Sequence, residues 1–361
     1  MGGRCHHVDA HTYHGDMLEN PWVTLDGSRG EGGGQILRTA LALSVVTQRP
    51  FSMEQIRAGR AKPGLRRQHL ACVHAAARLC GAVVRGDELS SQRLQFEPGP
   101  ALVPALDIDI GSAGSTALVL QTLLPPALLA THPIRATIRG GTHNPMAPSL
   151  DFLRQVFVPA LAQMGAQVEI GCERHGFMPA GGGVATLHVE PHPLGALHRS
   201  EAGPVVRRRA TAVLARLPTH VADRELEVVR QELGFAPEEC EVREVPAACP
   251  GNALLLYAER EGGGCELITG LGERGTRAEL VARGACQELR AWLEAEAPVG
   301  EHLADQLLLP MVLGGGGQFR CSPLSSHTET NIETIAAFVP ERRPVVRRDG
   351  ATWLVEVPPP G

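Results

Sequence analysis

The chain has 361 residues, 43% of them hydrophobic and 20% charged, which is enough apolar material for a packed core and excludes global disorder. With 34 basic against 39 acidic residues the net charge is −5, so bulk charge does not draw this protein onto nucleic acid, and any phosphate or RNA site must be a local basic patch. At about 150 residues per domain, the length suggests roughly two domains.

Residues 1–19 read as a disordered leader, with His6, His7, His11 and His14 in no apolar period and Met17 as a candidate natural start. The leader lacks the apolar core of a signal peptide, and no later stretch reaches the length of a membrane-spanning helix. Nine scattered cysteines without a C-x-x-C spacing suit a reducing, cytoplasmic compartment.

Trp22–Asp26 then reads as a strand, Gly27–Gly34 as a glycine-rich turn and Gln35–Thr47 as a helix with Ile36, Leu37, Ala40, Leu41 and Leu43 at helical spacing. In this segment, DGSRGEGGGQILR, the glycines let backbone approach a ligand, and the helix N-terminus offers N–H groups to an anion. Glu31 is an acid suited to a metal and Arg38 a phosphate contact, although taken alone the segment is better explained as a plain glycine turn, since such turns are common. Next, IRAGRAKPGLRRQH carries Arg57, Arg60, Lys62, Arg66 and Arg67 around a Pro63-Gly64 turn. Guanidinium forks match phosphate oxygens, so this is either a phosphate-binding cluster or a solvated basic face.

Leu106–Ile110 reads as a strand leading into GSAGS and an apolar helix that reaches Ala130, in which Gln121 is the polar exception. Ile134–Arg139 leads into GGTHNPMAP and a helix over Ser149–Met164, with His143 expected to be exposed in the loop. Residues 200–294 differ in character and read as an insert, with helices at Asp223–Leu233 and Ala278–Ala297. Leu303–Leu313 is a helix followed by four glycines and a strand at Gln318–Cys321. Asp305 lies in its apolar stretch and needs a partner if buried. In SSHTETN the capping-box pattern from Thr330 to Glu333 predicts a helix starting near Asn331. His327 then lies in the loop before it, where the helix dipole favours a neutral, nucleophilic imidazole. Neither G-x-S-x-G nor H-E-x-x-H is present.

The segments DGSRGEGGGQILR, IRAGRAKPGLRRQH, GSAGSTALVLQTLLP, GGTHNPMAP, PGNALLL, HLADQLLLP and SSHTETN occur in that order. The series resembles the RNA 3′-terminal phosphate cyclase family from about Val23 to about Phe338, most strongly before residue 165 and at 300–331. The resemblance implies an α/β fold: a large domain of repeated α/β units related to enolpyruvyl transferases, over 20–199 and 295–361, with a smaller inserted α/β domain over 200–294. It implies an ATP-dependent conversion of an RNA 3′-terminal phosphate to a 2′,3′-cyclic phosphate. The route runs through a histidine–AMP intermediate, then an RNA–adenylate joined by a diphosphate, with a divalent metal, Mg²⁺ or Mn²⁺. By the same resemblance His327 is the nucleophile, Glu31 serves the metal, and Arg38, Arg57 and Arg60 stand near the phosphates and the RNA end. Gln121, Pro148 and the segment His302, Leu303, Ala304, Asp305 and Gln306 belong to the ATP site, with Asp305 and Gln306 the main polar contacts. Arg66, Arg67 and Gln68 are placed at the RNA terminus. The expected partner is a single-stranded RNA 3′-phosphate end, with no membrane and, among assemblies, a homodimer as the commonest form.

His143 departs from the pattern, which has an acid there. Two other classes share the architecture: a non-catalytic assembly factor without the histidine, and an enolpyruvyl transferase binding phosphoenolpyruvate. His327 together with Glu31, Arg38 and Asp305 argues against the first, and the ordered motifs against the second.

Overall fold

A computed structural model describes residues 22–30 and 33–361, so the leader and Glu31 lie outside the described residues. Its strands and helices repeat one plan three times. The first unit is β1 (Val23–Asp26), α1 (Gln35–Thr47), β2 (Phe51–Glu54), α2 (Arg67–Cys80), β3 (Val83–Arg85) and β4 (Leu94–Glu97). Its sheet runs β1-β2-β4-β3, with β1 and β2 parallel and the other pairs antiparallel. The second is β5 (Ala105–Asp109), α3 (Thr116–Leu128), β6 (Ile134–Gly140), a helical stretch, β7 (Gln167–Arg174) and β8 (Gly183–Glu190), with the order β5-β6-β8-β7 and the same pairing senses. The third is β9 (Leu197–Arg199), α8 (Glu301–Leu313), β14 (Gly317–Cys321), α9 (Ser326–Phe338), β15 (Val345–Asp349) and β16 (Thr352–Val357), again β9-β14-β16-β15. Each parallel pair needs a helical crossover, which α1, α3 and α8 provide.

Between β9 and α8 the chain makes a long excursion. It comprises β10 (Val205–Ala215), α6 (His220–Leu233), β11 (Cys240–Glu244), β12 (Gly251–Arg260), β13 (Cys265–Leu271) and α7 (Ala278–Glu294), with the sheet order β11-β10-β12-β13. Alternate side chains of this sheet go to opposite faces. Ala210, Ala212, Leu214, Leu254, Leu256 and Ala258 pack under α6 and α7 as a separate core. Val213, Ala215, Ala253, Leu255, Tyr257, Cys265 and Leu267 join the core of the three repeats.

The helix expected over Ser149–Met164 is instead α4 (Leu150–Phe152), a π-turn over Leu153–Phe157 and α5 (Val158–Gln163). Pro159 has no N–H for the carbonyl of Gln155, and Val158 N–H reaches back to Leu153 O, so the turn widens by one residue. The helix expected to reach Ala297 ends at Glu294. Among the described residues no helix is long and apolar enough to cross a membrane, and the eight described cysteines are free of disulfides.

Candidate active site

The crossover helices of the three repeats converge on one cleft. Gln35, Arg38 and Thr39 come from α1; Gln121, Leu124 and Pro125 from α3; Asp305, Gln306, Leu309 and Pro310 from α8. Asn331 of α9 and Phe157 of the π-turn complete the lining of the cleft. The helices carry related sequences here: RTALA from Arg38, QTLLP from Gln121 and QLLLP from Gln306. The equivalent first residues all face the cleft. Pro125 and Pro310 lack the N–H that would bond the carbonyls of Gln121 and Gln306 one turn earlier.

Hydrogen bonds fix the helices around the cleft. Thr39 Oγ1 donates to Asn331 Oδ1 at 2.8 Å, and Asn331 Nδ2 donates to Asp305 O at 2.8 Å, so one amide locks α1, α8 and α9 together. Arg38 Nη2 donates to Gln35 Oε1 at 2.9 Å. Gln306 Nε2 donates to His302 O at 3.0 Å, while its buried Oε1 has no protein partner. A buried acceptor without a donor is costly and suits a polar ligand group. Burial pushes the Asp305 carboxyl up to about 7, against the positive charges of His302 and Arg38. Near neutral pH this group can therefore donate as well as accept a hydrogen bond.

His69 lies just outside the lining and was not assigned a role from sequence. Its Nδ1 accepts the Arg66 N–H at 3.1 Å, which leaves Nε2 as the protonated nitrogen of the neutral ring. A Cβ on Gly34 would lie 2.7 Å from that Nε2 and 2.7 Å from Arg38 Nη1, so the α1 N-terminus, Arg38 and His69 crowd together. Burial, then the charges of Arg38, Arg57 and Arg66, depress His69 to about 3. Burial is the larger cause, and the three guanidiniums add a positive field that, with the uncapped α1 N-terminus at Gly34, suits an anion. Gln68 Oε1 accepts from Ser115 N–H at 3.4 Å and Arg67 Nη1 donates to Gly111 O at 3.3 Å, tying the basic segment to the loop before α3.

The helix expected to begin near Asn331 begins five residues earlier. Ser325 is the N-cap, its hydroxyl accepting from Thr328 N–H at 3.3 Å, and Ser326 opens α9. Thr330 does not cap; its hydroxyl donates to Ser326 O at 2.6 Å. His327 is thus an exposed side chain in the first turn, not a loop residue, and it stands one turn before Asn331, which lines the cleft. The glycine-rich turn rests on this helix: Gly30 has φ of 56°, and a Cβ there would come within 2.0 Å of Thr330 Oγ1.

Other expected residues lie elsewhere. Leu303 and Ala304 are buried in the core and do not line the cleft. His302 is exposed, a turn before Asp305 and Gln306. Arg57 has φ of 54°, and its Nη1 donates to Lys62 O at 2.8 Å and Gly64 O at 3.0 Å, so it shapes its own turn while lending its charge to the His69 field. Arg60, in the same turn, and Pro148, just before α4, are half-buried and do not line the cleft. His143 was expected to be exposed and is 2% exposed, because its ring is bonded to buried Asp151 and stacked on Phe177. Asn331, Thr39 and Phe157 were missed; only the recurrent Q-x-L-L-P pattern hinted at which helix faces meet.

The cleft has apolar walls from Leu124, Pro125, Leu309, Pro310 and Phe157, with amides and one carboxyl at the edges. The described lining holds a single carboxylate and makes no oxygen-ligand set for a divalent cation; that expectation rests on Glu31, outside the described residues.

A family model described as RNA 3′-terminal phosphate cyclase matches residues 29–343. Curated proteins named RNA 3′-terminal phosphate cyclase are similar over most of the chain. The protein of Pseudomonas fluorescens is 49% identical over 325 residues, covering 89% of this chain and 93% of its own. That of Salmonella enteritidis is 49% identical over 322 residues, covering 89% and 94%. That of Koribacter versatilis is 46% identical over 320 residues, covering 88% and 90%.

Proposed function

The chain belongs to the RNA 3′-terminal phosphate cyclase family, and on that premise we propose that it uses ATP to turn an RNA 3′-terminal phosphate into a 2′,3′-cyclic phosphate. The observation that carries this reading is the convergence of Arg38, Gln121, Asp305 and Gln306 in one cleft that Asn331 also lines, with His327 one turn before Asn331 on α9. Adenine lies between the apolar walls, where Gln306 Oε1 and the Asp305 carboxyl meet its polar edge. The triphosphate extends toward Arg38 and the α1 N-terminus, and the field of Arg57 and Arg66 holds the RNA phosphate.

An imidazole nitrogen of His327 attacks the α-phosphorus, the bond to the β-phosphate oxygen breaks and pyrophosphate leaves. An oxygen of the RNA 3′-phosphate then displaces the imidazole, giving a 3′-end joined to AMP by a diphosphate. The 2′-hydroxyl loses its proton and attacks the 3′-phosphorus, and AMP departs. Adenylylation replaces an oxide leaving group by AMP, and the chain's own part is positioning and charge neutralisation. A divalent cation, Mg²⁺ or Mn²⁺, would be held through Glu31 and would neutralise phosphate charge.

The test is incubation of the purified protein with α-labelled ATP and Mg²⁺ or Mn²⁺. Acid-labile, alkali-stable label on the denatured chain is expected, and a 3′-phosphorylated oligoribonucleotide should become phosphatase-resistant. His327→Ala should bind ATP but take no label. Label persisting in that variant would remove His327 from the nucleophile's place.

A further inference from the structure

We propose that His143, Asp151 and His175 form a binding site for a transition-metal dication, with Zn²⁺ favoured by the donor set, apart from the ATP cleft. One ligand atom from each residue lies within 4.8 Å of the other two. The residues come from three places: the loop after β6, the first turn of the helical stretch, and the segment just past β7. Their approach is therefore a product of tertiary folding.

His143 Nε2 stands 3.1 Å from Asp151 Oδ2. Ligands about 2.0–2.2 Å from a tetrahedral metal sit about 3.3 Å from each other, so this pair already has nearly the separation of two ligands on one ion. The His175 ring stacks on the His143 ring with centroids 5.4 Å apart. His143 and Asp151 are each 2% exposed, so neither is held by water.

The outer contacts are those of a ligand shell. His143 Nδ1 is 2.9 Å from Thr142 Oγ1, which fixes the ring and turns Nε2 to the centre. Asp151 Oδ1 accepts from Gln155 Nε2 at 3.2 Å and lies 3.9 Å from Arg243, leaving Oδ2 for the ion. Two imidazoles favour zinc-like ions over Mg²⁺, which separates this site chemically from one built on Glu31.

An ordinary histidine–aspartate hydrogen bond needs only His143 and Asp151, whereas a metal also needs His175. The experiment uses the full chain with His6, His7, His11 and His14 changed to Ala, stripped with a chelator and dialysed against Zn²⁺ or Co²⁺. One bound equivalent by elemental analysis is expected, with the visible absorption of tetrahedral Co²⁺. Glu31→Gln should keep that equivalent. His175→Phe and Asp151→Asn, each checked for folding by circular dichroism, should lose it, and stripping should lower the melting temperature of the parent but not of His175→Phe. Absence of a bound equivalent in the parent, its loss in Glu31→Gln, or its persistence in His175→Phe would each overturn the assignment.

Discussion

Arg38 sets the electrostatics of the cleft from one position. Its charge pulls the Asp305 carboxyl down against burial and helps to keep His69 from taking a proton. A second buried acid, far from the cleft, gives a cleaner titration. Glu225 on α6 is fully buried; its Oε2 accepts from Asn252 Nδ2 at 3.0 Å and its Oε1 has no partner. Burial raises it from an ordinary 4.5 to about 7, outweighing Asn252 and Arg224. Because the folded value is the higher one, the folded state holds a proton that the unfolded chain has released, and stability falls as pH rises from about 4.5 to about 7. Glu225→Gln removes the charge and keeps the shape. It should melt with the parent below that window and be more stable above it, by at most about 3 kcal/mol at pH 8. Melts at pH 4.5 and pH 8 check this, and an equal shift at both would mean that the acid is not titrating there.

At the scale of elements, α9 shows where local sequence is ambiguous. SSHTETN contains two starts, Ser325 with Thr328 and Thr330 with Glu333. The first wins because Thr330 is occupied by Ser326 O and by its contact with Gly30, neither of which is visible in the local pattern. By contrast, α1 was legible to both ends, since glycines precede its apolar spacing. The π-turn was not, because five residues of wider winding leave the apolar pattern almost unchanged. β3 and β15 offer only the pairs Val83-Val84 and Val345-Val346, too short an apolar run to mark a strand in the sequence. Polar residues set in apolar helices, Gln121 and Asp305 among them, drew notice as chemistry. Arg57 did so as charge, and its positive φ, which keeps its side chain on its own turn, is not written in its neighbours. The cap supplies the element-scale prediction. Ser325→Ala should cost about 1 kcal/mol, seen as a lower melting temperature, and should slow adenylylation because His327 sits in the turn that frays. Ser325→Asp should restore both. Full labelling speed in a destabilised Ser325→Ala protein would show that the cap does not position His327.

The whole molecule explains why the cleft is non-local and why its third part was the hardest to read. Strand–glycine–helix units stand out in the first two repeats, but β9 is three residues long and about 100 residues precede the helix that completes its crossover. Only folding brings α8 beside α1 and α3, and Thr39 meets Asn331 across 292 residues of sequence. The excursion is bound into this arrangement through one face of its sheet. Ser149 and Thr269 hydroxyls lie 2.9 Å apart and Arg209 donates to Gln155, while Val213, Leu255, Tyr257 and Leu267 enter the main core. An interface that apolar and that well buried couples the folding of both parts. Calorimetry of the parent should therefore show one transition, although α6 and α7 cover a core of their own. Leu255 and Leu256 are neighbours on opposite faces, so they separate the two cores. Truncation of either to Ala should cost about 2–5 kcal/mol. Leu256→Ala should move the single transition to lower temperature, whereas Leu255→Ala should weaken the joint and split it in two. Two transitions in the parent would mean that the excursion folds without the repeats, and a single unsplit transition in Leu255→Ala would mean that the polar contacts, and not this apolar face, hold the parts together.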